Sequence, residues 1–237
     1  MTAKVIGIGG YARCGKDTFV GIAKNILTKA GYNPVRVAFA DKLKEEVSQM
    51  LQTNGFSATV YTEDSAVKAF IRPLLVWWGC QRRRESEGGL YWVNMADQKI
   101  RCDMKVDPMF GLDPDKTVFL VSDVRFPNEA SWIHETWDGE LIHLKRYTTH
   151  TSESPVVVDG VSRNDMLHKC YDPAPNDEEL VQDPHVVDAA DQRIEWESKK
   201  IMTTAEAIEC PYLQRVVLDA LNSSKYFKNS PSGKLSL

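Results

Sequence analysis

The chain has 237 residues, enough for one domain with a sizeable insertion, and its 43% hydrophobic content is ordinary for a globular protein. Its formal net charge of −4 argues against a general affinity for nucleic acid, and no apolar run approaches the roughly 18 residues of a membrane span. The five cysteines show no CxxC spacing and no targeting signal is visible, so we expect a cytoplasmic protein without a disulfide framework or a zinc site.

The first part of the chain predicts alternating strands and helices. Residues 4–9 form an apolar run typical of a buried strand, and residues 15–30 show helical spacing up to Gly31. A second strand is predicted over 35–40, after which Asp41 is a candidate N-cap for the next helix. This alternation is typical of α/β proteins.

The middle of the chain predicts two helices with no strand between them, over 65–84 and 91–104. A strand follows over 117–122, then a helix that opens on Pro127, then a strand over 140–145. The helical pair therefore interrupts the alternation.

The last part is less regular. Periodicity fades over 147–196, and residues 172–191 carry seven acidic side chains and no Lys or Arg, so we expect an exposed insertion. A last strand over 199–202 and a helix over 205–221 are predicted to close the domain, leaving a mobile tail over 223–237.

Together these elements predict a single α/β domain over 1–237, with three α/β/α layers around a mostly parallel five-stranded sheet. In such sheets, ligands bind beyond the carboxyl ends of the strands. The stretch GGYARCGKDT, residues 9–18, lies at such an end.

This stretch matches the phosphate-loop pattern GxxxxGK through Gly10, Gly15 and Lys16. The backbone N–H groups of such a loop can surround an anion, the following helix offers its positive N-terminus, and Lys16 adds a point charge. The position after the lysine, which is usually Ser or Thr, is Asp17, followed by Thr18. Asp17 can bind Mg²⁺ through a carboxylate oxygen, or it can simply be a favourable first-turn helix residue.

A dinucleotide site is the alternative, because Gly7, Gly9 and Ala12 also match GxGxxA. Such a site needs an acidic residue roughly 20 residues further on, at the end of the second strand. Asp41 ends the predicted second strand about thirty residues away. The phosphate loop is therefore the favoured interpretation, with a glycine-rich turn of no function as a further alternative.

The loop and several later segments resemble the deoxynucleoside monophosphate kinases of tailed bacteriophages. The matching segments are GGYARCGKDT, FADKLKEEV, RPLLVWWGCQRRR, YWVN and LVSDVRFPNEA, in this order between residues 4 and 150. Cys80 stands where this family usually has Thr, and the stretch over 147–196 is longer than the resemblance implies. The GKD loop is also similar to that of phosphomevalonate kinases, and the general plan to that of dephospho-CoA kinase.

The resemblance implies a P-loop fold and a Mg²⁺-dependent transfer of phosphate from ATP to a deoxynucleoside monophosphate (dNMP) in deoxynucleotide synthesis. It implies an acceptor-binding helical segment over 41–112 and a lid-like insertion over 147–196. A phage-encoded enzyme would work in the host cytoplasm, with small-molecule partners, no nucleic acid and no membrane; a homodimer is left open. The alternatives are a kinase of another phosphorylated small molecule and a non-catalytic nucleotide-binding regulator.

Phosphoryl transfer depends on positioning and charge neutralisation, so cations are the first candidates for the site. At about 100° per residue, we expect Arg72 and Arg84 on a similar side of one helix, with Arg82 and Arg83 pointing into solvent. Surface charge is the alternative for Arg72 and Arg84. Arg125 is predicted to brace the transferred group.

Other candidates have structural alternatives as well. Asp123 follows an apolar strand in the place of a Mg²⁺-orienting acid, or it caps the helix after Pro127. Glu129 is predicted to fix Arg125 or the acceptor sugar. Trp78 and Tyr91 form a shelf for the acceptor base or are part of the core.

The candidate residues fall into four groups, some shared. The catalytic candidates are Lys16, Asp123 and Arg125, and the metal candidates are Asp17 and Asp123. The ATP-binding candidates are Gly10, Ala12, Arg13, Cys14, Gly15, Lys16, Asp17, Thr18 and Arg146. The acceptor-binding candidates are Asp41, Lys42, Arg72, Trp78, Arg84, Tyr91 and Glu129.

Overall fold

A computed structural model describes residues 3–57, 59–62, 64–105, 113, 115–151, 156–158, 161–163, 167–198, 203–228 and 234–237. The strands are β1 (Lys4–Gly9), β2 (Asn33–Val37), β3 (Thr117–Val124), β4 (Glu140–Thr151), β5 (Val156–Val158), β6 (Val161–Arg163), β7 (Leu167–Tyr171) and β8 (Gln192–Glu197). The helices are α1 (Lys16–Lys29), α2 (Phe39–Thr53), α3 (Ser65–Glu85), α4 (Tyr91–Lys105), α5 (Pro127–Trp137), α6 (Asp177–Ala189), α7 (Thr204–Ile208) and α8 (Pro211–Ser223).

The main sheet has six strands instead of the five predicted, and it is mixed, although most of it is parallel as predicted. Its parallel strands run in the order β2-β3-β1-β4, and β8 pairs with β4 in parallel. Strand β7 pairs with the last part of β4 in antiparallel fashion, and β5 and β6 form a separate hairpin. Strand β1 thus lies between β3 and β4, with its carboxyl end at the glycine-rich stretch.

Helices cover both faces of the sheet. The buried side chains of each strand alternate between these two faces and therefore belong to two cores. On one face Val118 and Leu120 pack with α1 and α8. On the other face Phe119 and Val121 pack with α4 and α5. The molecule is therefore a layered α/β protein.

The boundary between β2 and α2 lies earlier than predicted. Strand β2 ends at Val37 and α2 begins at Phe39, because the Asp123 carboxylate accepts hydrogen bonds from the N–H groups of Phe39 and Ala40. The prediction that Asp41 is the N-cap was wrong: it lies within the first turn of α2. Asp123, 84 positions after Phe39, supplies the cap instead.

The acidic stretch over 172–191 is exposed at more than half of its residues, as expected, but it is not an excursion from the domain. It contains α6, whose Val186 is fully buried, and it leads directly into β8 of the main sheet. Trp196 of β8 is 3% exposed, so the last part of the expected insertion belongs to the core. The strand predicted over 199–202 lies outside the described residues.

The C-terminal part also differs from expectation. The single helix predicted over 205–221 is two helices, with Pro211 in the first turn of the second. Phe227 and Leu235 are 1% and 8% exposed, so at these residues the expected mobile tail is packed onto the α1 side of the sheet. No helix among the described residues is long and apolar enough to cross a membrane.

Candidate functional site

The loop between β1 and α1 is held by the side chain of Lys16. This lysine is 7% exposed, and its Nζ donates hydrogen bonds to the carbonyl oxygens of Gly10 (2.6 Å) and Tyr11 (2.7 Å). Lys16 is also the first residue of α1, so its ammonium group and the helix N-terminus lie at the same place. The loop closes around a positive centre.

Two glycines of the loop are required by its backbone. Gly10 and Gly15 have φ angles of 126° and 101°, in the region that favours glycine. A side chain at Gly10 would collide with the Leu144 carbonyl, and one at Gly15 with the Trp196 ring. The loop is therefore packed tightly between β4 and β8.

A cavity of about 770 Å³, cavity 1, opens at the carboxyl ends of the strands beside this loop. It is rich in charged groups, with six cationic and three acidic side chains among the described lining residues. It extends from the loop to the region of α7 and the start of α8, which includes Tyr212. The predicted site residues that line it are Ala12, Arg13, Gly15, Lys16, Asp17, Thr18, Asp123, Arg125 and Arg146.

Two ATP-binding candidates of the loop do not appear among the described lining residues of cavity 1. The carbonyl of Gly10 accepts from Lys16, and the carbonyl of Cys14 accepts from Trp196 Nε1 at 2.8 Å. Burial raises the pKa of the Cys14 thiol, against the lowering effect of Lys16. Both residues therefore shape the loop from behind.

A second cavity of about 630 Å³, cavity 2, adjoins the first. Its described lining includes five cationic and two acidic side chains, together with an apolar wall of Val60, Ile71, Leu75, Val76 and Phe126. Ala12, Arg13, Lys44 and Arg125 line both cavities. An anion at this junction can therefore be reached from either side.

Asp123 is held in place by the helix that it caps. Its Oδ1 and Oδ2 accept from Phe39 (2.9 Å) and Ala40 (3.0 Å), and burial raises its pKa although these two hydrogen bonds lower it. It caps α2 and not the helix after Pro127, which was the structural alternative predicted from the sequence.

Oxygen groups suited to Mg²⁺ converge on cavity 1. Asp17 and Thr18 belong to the first turn of α1, while Ser122 and Asp123 end the apolar part of β3. The hydroxyl of Ser122 is buried and has no hydrogen-bond partner among the described residues. No cluster of three or more His, Cys, Asp or Glu side chains that could hold a metal occurs in the described chain. The oxygen groups of Asp17, Thr18, Ser122 and Asp123 are of the type that can bind Mg²⁺ together with phosphate and water.

Arg125 lies at the cavity junction and is paired with an unexpected residue. Its Nη1 donates to Glu179 Oε1 at 3.0 Å, and the N–H of Ala12 donates to Glu179 Oε2 at 2.7 Å. Glu179, on α6, is 7% exposed. One carboxylate thus accepts hydrogen bonds from both a loop N–H group and the arginine at the junction.

Glu129 fixes the backbone that carries Arg125. Its Oε2 accepts from the N–H groups of Arg125 (2.8 Å) and Phe126 (3.1 Å), and its Oε1 accepts from Arg83 (2.7 Å). Glu129 is 2% exposed, and burial raises its pKa to about 7 against the lowering effect of Arg83. The structure places it behind Arg125, and it lines neither cavity as far as their described walls extend.

The expected pairing of Arg72 and Arg84 was wrong. Twelve residues correspond to about 1200°, which leaves the two side chains about 120° apart and about 18 Å apart along the helix. Both arginines are exposed, but Arg72 lines cavity 2, whereas Arg84 is absent from the described lining of both cavities. Arg83 lies over the Phe126 ring at 3.5 Å, so it does not point into solvent.

Trp78 and Tyr91 do not form the predicted shelf in either cavity; they pack against the core, which was the alternative. Trp78 Nε1 and the Tyr91 hydroxyl donate to Glu46 at 2.8 and 2.6 Å, and the Arg82 guanidinium lies over both rings. Neither aromatic is among the described residues that line a cavity. They are a polar part of the helical layer.

Asp41 and Lys42 are likewise outside the described cavity walls. They form surface ion pairs with Arg36 (2.9 Å) and Glu45 (3.0 Å). The cation that α2 supplies to both cavities is Lys44, two residues further on. Its spacing within FADKLKEEV did not distinguish it from Lys42, and no sequence signal marked Ser122 or Glu179.

No protein-family model matches this chain, and no curated protein matches its sequence. The functional argument therefore depends on the site itself.

Proposed function

We propose that this protein is a P-loop kinase that transfers the terminal phosphoryl group of ATP to a deoxynucleoside monophosphate, with Mg²⁺. The single observation that supports this most is the pair of adjoining cationic cavities that share Arg13, Lys44 and Arg125 beside the glycine-rich loop. A phosphoryl transfer needs two anions brought end to end, and two such cavities suit that requirement. The three-layer P-loop fold is part of this proposal.

Cavity 1 is the proposed donor site. The loop and the N-terminus of α1 bind the triphosphate, Lys16 adds charge, and Arg146 binds from the end of the cavity near β4. The loop follows β1, which lies between β3 and β4. The chain goes from β1 to strands on one side of it, β2 and β3, and later crosses to β4 on the other side. Ligands bind at such a point in open α/β sheets. Asp17, Thr18 and Asp123 are the proposed Mg²⁺-binding residues, and the bound ion would neutralise charge on the phosphates.

Cavity 2 is the proposed acceptor site. Its excess of cationic side chains suits a phosphomonoester, and its apolar wall suits a nucleobase. An oxygen of the acceptor phosphate attacks the terminal phosphorus of ATP, the bond to the bridging oxygen breaks, and ADP and a diphosphate result. Because the acceptor is already an anion, no general base is required, and Arg125 stabilises the transferred group. The proposed place of the reaction is the cytoplasm, that of the host cell if the chain is phage-encoded.

A coupled assay of ADP release tests this function, with each dNMP and each ribonucleotide as acceptor. We expect ADP release that depends on dNMP and Mg²⁺, and a loss of several orders of magnitude in Arg125→Ala. Lys16→Met should abolish ATP binding, whereas Lys42→Met, which removes an exposed lysine, should not. Release of ADP only with phosphomevalonate or dephospho-CoA would assign another phosphorylated acceptor, and binding of ATP without turnover would indicate a regulator.

A further inference from the structure

We propose that Ser122 is a further binding residue for the hydrated Mg²⁺ ion of the donor nucleotide. This inference rests on the proposed function, which places the donor phosphates in cavity 1. No pattern in the sequence marked Ser122, whose hydroxyl has no hydrogen-bond partner among the described residues.

The position of Ser122 follows from the pleat of β3. Val118 and Leu120, on the same alternation, pack against the α1 side of the sheet. Ser122 comes next on this face, at the carboxyl end of the strand, and it lines cavity 1 together with Asp17 and Thr18 of the first turn of α1. Ser122 and the proposed metal-binding residues of α1 therefore line the same cavity.

The Ser122 hydroxyl is chemically free to bind. The residue is 2% exposed, and its Oγ has no hydrogen-bond partner in the described structure. A buried polar group without a partner is costly, and such groups are rare in folded proteins. Its neighbour Asp123 differs, because each Asp123 carboxylate oxygen already accepts an N–H group of α2.

A hydrated divalent cation satisfies both properties of this hydroxyl. Water molecules bound to Mg²⁺ are strong hydrogen-bond donors, and the nucleotide phosphates beside them are acceptors. The Ser122 hydroxyl, which belongs to a residue of the cavity wall, can accept from the first and donate to the second. Ser122 would thereby bind the hydrated ion from β3, in addition to the residues of α1.

The test is a thermal-shift titration with ADP, with and without Mg²⁺, on wild type and Ser122→Ala. We expect the unliganded melting temperature to be unchanged or raised, because the substitution removes a buried unpaired hydroxyl. The shift with ADP and EDTA should be unchanged, while the Mg²⁺ concentration for half of the additional shift rises by about tenfold. Ser224→Ala is the matched control: this buried serine donates to Glu140 at 2.6 Å, so its loss should lower the melting temperature without changing the Mg²⁺ response.

Two results would overturn the inference. An unchanged Mg²⁺ titration in Ser122→Ala would remove the residue from the metal site, and an equal loss of the shift in EDTA would assign the hydroxyl to phosphate. Neither result affects the proposed function, provided that wild type binds ADP and turns over. If wild type shows no shift with any nucleotide, the proposed function itself fails.

Discussion

At the scale of single residues, the site is built from charged groups that form hydrogen bonds and ion pairs. Glu179 contacts Arg125 and the Ala12 N–H group, while Glu129 contacts the Arg125 backbone and Arg83. Both carboxylates are nearly buried, so their hydrogen bonds act in surroundings with little water. The two acids nevertheless differ in role, since Glu179 faces the cavity junction and Glu129 lies behind it.

Glu179 occupies groups that the proposed function assigns to phosphate. Glu179→Gln keeps the shape but removes the charge that competes with an incoming anion, so we expect ATP and dNMP to bind at about threefold lower concentrations. Isothermal titration measures both affinities. Glu178→Gln is the matched control, because Glu178 lines cavity 2 and is exposed without a contact to the loop among the described hydrogen bonds. Weaker binding in Glu179→Gln would instead mean that the carboxylate positions Arg125 for the ligand.

Glu129 gives a pH dependence of stability. Its folded pKa is raised to about 7 from 4.5, so the native state retains a proton that the unfolded chain releases between these pH values. Its contribution to stability is therefore full below about pH 4.5 and is lost as the pH rises through 7. Denaturant unfolding at several pH values should show that wild type loses stability over this window relative to Glu129→Gln. Parallel pH profiles of the two proteins would refute the raised pKa.

At the scale of elements, α3 combines two functions on different sides. Its first part presents Arg72 and the apolar residues Ile71, Leu75 and Val76 to cavity 2. Its last turn sends Arg83 to Glu129 and Phe126. Helix α2 is divided in a similar way. Its N-terminus is capped by Asp123, and its Lys44 lines both cavities. The helical layer thereby connects cavity 2 to the end of β3.

A matched pair on α3 tests this division. Arg72→Ala should raise the KM for dNMP by at least about tenfold, because a charge-assisted contact to phosphate is lost. Arg84→Ala removes the same charge from an exposed position of the same helix and should leave KM unchanged. Steady-state kinetics at saturating ATP distinguish the two. Equal effects in both variants would show that only the overall charge of α3 matters.

At the scale of the whole molecule, distant parts of the chain meet at the glycine-rich loop. Trp196 of β8 lies against Gly15 and donates to the Cys14 carbonyl, and Val186 of α6 lies beside Gly9. The glycine-rich loop near the N-terminus is therefore shaped by residues more than 170 positions away, such as Trp196 on Cys14 at a separation of 182. Folding of the C-terminal third is required for the loop geometry.

Two buried tryptophans test this dependence. Trp196→Phe keeps a ring but leaves the Cys14 carbonyl without its donor, so we expect a loss of about 1–3 kcal/mol in unfolding free energy and weaker ATP binding. Trp137→Phe is the control, because the Trp137 N–H group is buried without a partner among the described residues, and its removal should cost less. Denaturant unfolding and nucleotide titration measure the two effects. A larger loss of stability in Trp137→Phe would contradict this account.

The sequence by itself determined the local features of this protein. The apolar strands over 4–9 and 117–122, the helix that follows Gly15 and the predominantly parallel sheet follow from patterns of neighbouring residues, and the structure confirms them. Lys16, Asp17, Thr18 and Arg125 were found in the same way, and they line a common cavity. Their functional roles stay predictions.

Only the tertiary structure decided the features that join distant residues. The cap of α2 comes from Asp123, the partners of Arg125 and Ala12 come from α6, and the fifth parallel strand, β8, lies at the end of the stretch whose fading periodicity predicted an insertion. Lys44 differs from Lys42 only by the direction in which α2 presents it to the cavities. Periodicity reports which residues are buried, but a contact between two segments depends on how the layers are stacked, and that is set by the whole chain at once.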